Sequence, residues 1–204
     1  MNRFIFFTLQ FTLVCVSHAA PAWKARMSDS ELTGVVEEAR SLVTKVLDAI
    51  PVVHGSCVTT QGLTLDPSGY SMNLEYMVTL LDIPSAPKLK ALAADFTLEM
   101  CLYRMAEGLQ MYSGLLNVVA GHLTSSQKIS DLGADIKDLL SKVQRIQKLS
   151  HVSSQSAETD MSSLSSRLTG DYEVQLATHV ILGHLRSFAQ DVFRSLRNLA
   201  QTIS

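Results

Sequence analysis

The chain has 204 residues, of which 47% are hydrophobic and 18% charged, with a formal net charge of −2. That length and apolar content support one domain or at most two around a real core, and they exclude a disordered or tail-like chain. The slight acidity excludes binding built on neutralising phosphates, so no nucleic-acid partner is expected.

The first segment, "MNRFIFFTLQFTLVCVSHAA", has Arg3, an apolar run from Phe4 to Val16, and then the small residues Ser17 and Ala19. A basic start, a short apolar core and a small-x-small end predict a secretory signal peptide over 1–19, cut after Ala19. The mature domain is then 20–204, secreted and extracellular. Losing Arg3 leaves sixteen basic against nineteen acidic side chains. No other stretch approaches the ~18 uninterrupted apolar residues of a membrane span, so no membrane insertion is expected after signal cleavage.

Helical periodicity begins near Ser30. Leu32, Val35, Val36, Ala39, Leu42, Val43, Val46 and Ile50 share one face. Ser28 or Ser30 suits the cap, and Pro51 is expected to end the helix. After "IPSAPKLKALAADF", Pro87 is placed as a helix start, and Leu98, Leu102, Met105, Leu109, Tyr112, Leu116 and Val119 alternate by four and three up to Gly121. A third helix spans about Gln127 to Leu149, with Ile129, Leu132, Ile136, Leu139, Val143 and Ile146 inward. The segment "SHVSSQSAETDMSSLSSRLTG" is serine-rich and weakly apolar, and is expected to be mobile. A fourth helix starts near Asp171 and carries Leu185, Phe188, Val192, Leu196 and Leu199 on one stripe, with Arg186, Arg194 and Arg197 off it. A stripe that matches three others in the same chain is core rather than a membrane-surface face.

No strand alternation intervenes, so the fold class is all-α. Six residues, "GHLTSS", join the second and third helices. They reach at most about 20 Å, too little to run back along a helix of ~30 Å, so these two helices are antiparallel neighbours. The other connections, Pro51 to Ala86 and Ser150 to Gly170, are long. Two long crossover loops around one short turn imply an up-up-down-down, long-chain four-helix bundle.

Catalytic and cofactor motifs are missing: no G-x-S-x-G, phosphate loop or dinucleotide fingerprint occurs. His54, His122, His151, His179 and His184 show no metal-ligand spacing, since His179 and His184 stand five apart and leave one helix face. His54, Asp66 and Ser68 have no spacing that supports a triad. Neither an enzyme nor a cofactor is expected. There is no N-x-S/T sequon.

Particular segments add a resemblance. "IPSAP" followed by "CLYRMAEGLQMYSGLL", then "DLGADIKDLL", then "HVILGHLRSFAQDVFRSLRNLAQ" are similar, in order and spacing, to the granulocyte colony-stimulating factor family of long-chain, interleukin-six-type cytokines. The resemblance spans the mature chain, closest in the second and fourth helices and weakest in the first loop. It implies a haematopoietic growth factor without cofactor or active site, which binds and dimerises a class I cytokine receptor ectodomain. The partner would be a receptor homodimer in a 2:2 assembly, driving JAK/STAT signalling and granulocyte production, survival and activation.

The family's major receptor site lies on its first and third helices. By resemblance, "VVEEARS" places Glu37 at the principal acidic position with Glu38 and Arg40 beside it, and Asp135, Asp138 and Ser141 match on the third helix. Asp135 and Asp138 are three apart and are expected to share an exposed face. For a second site, Tyr172 matches an aromatic anchor. Asn73 stands where the family has a glutamate, with Glu75 two residues on and Tyr76 adjacent. Cys101 matches a family bridge cysteine whose partner position is Ala91, and Cys57 matches the other bridge. In an up-up arrangement Cys57 and Cys101 fall towards opposite ends, beyond the 4.4–6.8 Å between Cα atoms that a disulfide needs. Both are therefore expected to be unpaired. Another interleukin-six-type or leptin-like cytokine would share these features with a different receptor. A lipid or small-ligand carrier would instead show a large apolar interior pocket and dispensable acidic residues.

Overall fold

A computed structural model describes residues 22–65, 73–89, 97–152 and 161–203, and within these the side chains of 22–28 and 73–75 are outside the description. Residues 1–19, the expected signal peptide, lie outside the described residues, as does Ala91.

Helix α1 spans Ala22–Cys57 and runs through Pro51, which was expected to end it. Proline removes one helical N–H bond and crowds the carbonyl four residues earlier. Here the exposed Pro51 is tolerated because the residues beyond it bury Val53, His54 and Cys57, and the Val58 amide then bonds the His54 carbonyl at 2.9 Å. Helix α2, Asn73–Leu81, is a short element inside what was expected to be an unbroken loop. Pro87 does not begin a helix: residues 83–89 are non-helical. Pro84 and Pro87 hold the residues before them in extended conformations, and buried Ile83 and Leu89 pin this stretch to the core.

Helix α3, Leu98–His122, starts at Thr97, whose side chain accepts from the Met100 amide, with Glu99 favourable in the first turn. Leu98, expected inward, is 43% exposed because it occupies the first turn, past the edge of the packed stripe. Helix α4 is Gln127–Leu149, with all six expected inward residues buried. Helix α5, Ser162–Arg167, interrupts the serine-rich connection, and buried Leu164 and Leu168 fasten it; residues 153–160 of that connection lie outside the description. Helix α6 is Asp171–Ile203.

The described residues are all-helical, without a strand, and the long helices pack as a bundle. α1 lies against α4 and α6, and α3 lies against the same two, with α2 on α6 and α5 on α3. A single apolar cluster joins all six helices. Contacts pair residues in opposite order along neighbouring helices. Glu31, Glu38 and Lys45 of α1 meet Arg145, Lys142 and Asp135 of α4. Arg40 and His54 of α1 meet Phe193 and His179 of α6. The Tyr112 and Phe188 rings, 5.4 Å apart, link α3 to α6, and the two helices approach closely because Gly108 leaves room for the Phe188 ring.

Candidate functional site

On α1 the charged residues Glu31, Glu38 and Lys45 recur every seven residues, close to two helical turns, so they line one flank. That flank faces α4. The Arg145 guanidinium donates to Glu31 at 2.6 Å, Lys142 donates to Glu38, and the Lys45 ammonium donates to Asp135 at 2.6 Å. The polarity reverses along the seam: two α1 carboxylates meet α4 cations, then an α1 cation meets α4 carboxylates. Lys142 holds the Glu38 carboxyl below its ordinary range, first by the hydrogen bond and then by its charge. Asp135 likewise raises Lys45 by hydrogen bond and charge, with Asp138 and Asp131 adding to it. Arg145 is raised by Glu31.

Glu37 occupies the other flank. It accepts two bonds from Arg40 Nη1, at 2.6 and 2.9 Å, and the Arg40 guanidinium lies 5.6 Å from the centroid of the Phe193 ring on α6. Adjacent helix residues point about 100° apart, so Glu37 and Glu38 straddle the outer crest of α1. The six residues matched to a major site therefore divide. Glu38, Asp135 and Asp138 gather at the α1–α4 seam, Ser141 is exposed on α4, and Glu37 and Arg40 turn towards α6. One expectation is corrected: Asp135 is not an exposed carboxylate. Its side chain is only 15% exposed, because Lys45 and the α1 wall cover it. Asp138 is exposed.

Lys142, Lys45, Arg145 and Glu31 belong to this surface and were not singled out from the sequence. The signal was present: charges seven apart on α1, matched in reversed order by opposite charges on α4, as at the flanking positions of paired helices.

Of the second group, Tyr172 is 48% exposed at the start of α6 and Tyr76 is 70% exposed on α2, where Leu80 is also exposed one turn on. The side chains of Asn73 and Glu75 lie outside the description. Arg167 of α5 fixes the end of α2 by donating to the Leu80 carbonyl and pairing with Asp82. Cys57 and Cys101 are both free and buried, and burial raises the Cys101 thiol.

The histidines behave unevenly. His122 and His151 are exposed, whereas His54 and His179 form a buried pair, with His54 Nε2 2.9 Å from His179 Nδ1. Among the described residues no group of three histidine, cysteine or carboxylate side chains is arranged to hold a metal. No helix among them is long and apolar enough to cross a membrane. No protein-family model matches the chain, and no curated protein matches it.

Proposed function

We propose that the chain is a secreted receptor-binding growth factor of the long-chain helical cytokine type, and that its partner is a class I receptor ectodomain like that of granulocyte colony-stimulating factor. The up-up-down-down order is part of this proposal. Its support is the pairing of contacts: α1 meets both α4 and α6 in reversed numerical order, and α3 meets α6 in the same reversed way. The short connection between α3 and α4 supports the remaining antiparallel pair.

The observation that carries the reading is the charged outer face of α1 and α4, where the carboxylates resemble the family's major site residue by residue. Recognition would proceed by exchange. Receptor arginines or lysines would take over carboxylates that Arg40, Lys142 and Lys45 now hold within the chain. Asp138 makes no hydrogen bond to a described residue, so it is the carboxylate readiest to accept one. Glu37 is placed at the centre of the site, with its Arg40 bond to be surrendered or shared. Signalling would follow from joining two receptors in a 2:2 assembly. The exposed Tyr172 and Tyr76 would serve a second contact.

The test is binding of residues 20–204 to that receptor ectodomain, wild type beside Glu37→Ala and Asp138→Ala. Tight binding that weakens about tenfold or more in either variant supports both the function and the surface. Binding indifferent to both variants retains the function and rejects the surface. Well-folded protein that binds no such receptor rejects the function.

A carrier would need an interior cavity. The described clefts are peripheral, one of about 230 Å3 between the start of α3 and the end of α6 and one of about 250 Å3 beneath residues 85–88. The axis of the bundle is filled by side chains such as Val43, Leu116, Ile136 and Leu185.

A further inference from the structure

We propose that His54 and His179 form an acid-operated latch, which holds the last turns of α1 and the segment that follows against α6 and lets them go when both rings are protonated. The latch does not depend on the receptor reading above.

The part of the fold it controls is locally weak. Pro51 has no N–H to give the Leu47 carbonyl, so the short end Val52–Cys57 is joined to the rest of α1 by one helical bond fewer and leans on tertiary contact to stay helical. The next residues form no helix of their own and hang from α6 by side-chain bonds. Gln175 Oε1 accepts from the amides of Thr59 and Thr60 at 2.8 and 2.9 Å and from their hydroxyls at 3.1 and 2.9 Å. Arg186 donates to the Leu65 carbonyl at 3.3 Å. Gln175, His179 and Arg186 thus make a row of anchors along α6, and the histidine pair is the buried one.

The pair is complete only while it can share a proton. In the neutral state one ring donates and the other accepts across 2.9 Å, with His54 8% and His179 2% exposed. A first added proton places a cation in a buried site. A second leaves two N–H groups facing each other with no acceptor between them. His184 of α6 lies near enough to act on His179, Cys57 follows His54 by three residues on α1, and in the 58–65 segment the neutral Thr59 and Thr60 are held by Gln175, four residues before His179. Asp48 on α1 and Asp171 on α6 are exposed and Glu173 is half-buried; Asp82 after α2 is paired with Arg167 of α5, and His122 of α3 lies against Ser165.

Burial lowers His54; burial first, then His54 and His184, lower His179 to about 4. A histidine lowered in the closed form stabilises that form fully above its ordinary pKa, and the contribution is lost as pH falls from there towards the lowered value. With an open-state value of about 6.5, passing from pH 7 to pH 5 favours opening roughly twentyfold through His179 alone.

The experiment is amide hydrogen exchange on residues 20–204 between pH 7 and pH 5, corrected for the intrinsic pH dependence, alongside imidazole titration by NMR. The expected result is at least a tenfold loss of protection at 52–65, with 129–149 unchanged. His54→Leu/His179→Leu, which cannot be charged, should abolish the pH dependence, while His184→Gln should leave it in place. An equal loss in the double-leucine variant, or none in wild type, overturns the latch. Should that variant not fold, the wild-type titration decides: His54 and His179 midpoints at the ordinary histidine value overturn it, and midpoints lowered in step with the exchange support it.

Discussion

Phe188 and Gly108 set the distance between α3 and α6. A methyl group built on Gly108 would lie 2.2 Å from Phe188 Cζ, against a ring that is itself buried. Gly108→Ala should therefore destabilise by about 1–3 kcal/mol, read as a lower denaturant midpoint, and Phe188→Leu in the same chain should recover part of the loss. Neighbouring Tyr112 predicts the opposite sign. Its ring is buried against Phe188, its hydroxyl is buried without a hydrogen-bond partner among the described residues, and burial pushes its pKa up. Tyr112→Phe removes that hydroxyl and keeps the ring, so stability should be unchanged or higher by up to about 1 kcal/mol. A fall of more than that would reveal a partner for the oxygen. The four-three spacing made Tyr112 legible as core. The need for glycine at 108 was not legible, because it arises from a side chain eighty residues away.

At the scale of elements, α4 could be read almost to the residue: a long run with apolar positions three and four apart, bounded by a serine-rich turn and by Ser150. The start of α6 was equally plain. α2 and α5 are too short for periodicity to register, and each is held by a few contacts that only the folded chain provides. Pro51 misled for a similar reason, since local chemistry favours a stop there and burial of Val53, His54 and Cys57 overrides it. The seam between α1 and α4 offers a test at this scale. Exchanging charges in Glu38→Lys/Lys142→Glu should recover part of the thermal midpoint that either single reversal lowers, and only part because Arg145 also acts on the carboxylate at 38. The restoring effect should shrink in molar salt. Acid acts on the same bond with a definite sign. A carboxyl lowered in the folded state contributes stability above its ordinary range, and loses it as pH falls through the lowered value. Acid titration of Lys142→Met should therefore show a flatter stability profile below pH 5 than wild type. Matching profiles would mean that the bridge contributes nothing.

The whole molecule is held by one apolar cluster that every helix enters, and by no covalent cross-link between the cysteines of the described residues. Cys57 closes α1 and Cys101 sits in the first turn of α3, each buried by residues of its own end of the bundle. His54, three residues before Cys57, meets His179 of α6, whereas Cys101 shares a cleft with Ser195 and Asn198 further along that helix. A fold with no bridge between Cys57 and Cys101 should melt identically with and without millimolar dithiothreitol. Both thiols should resist a disulfide-exchange probe in the native state, Cys101 the more so because burial raises its pKa and starves it of thiolate. In rising guanidinium, both should become reactive together at the midpoint seen by circular dichroism, since they belong to one cooperative core. A thiol that reacts at once under native conditions would mean that its end of the bundle opens independently. For Cys57, three residues from His54, labelling corrected for the roughly hundredfold fall in thiolate should be faster at pH 5 than at pH 7, which joins the measurement to the latch; for Cys101 the corrected rate should not rise.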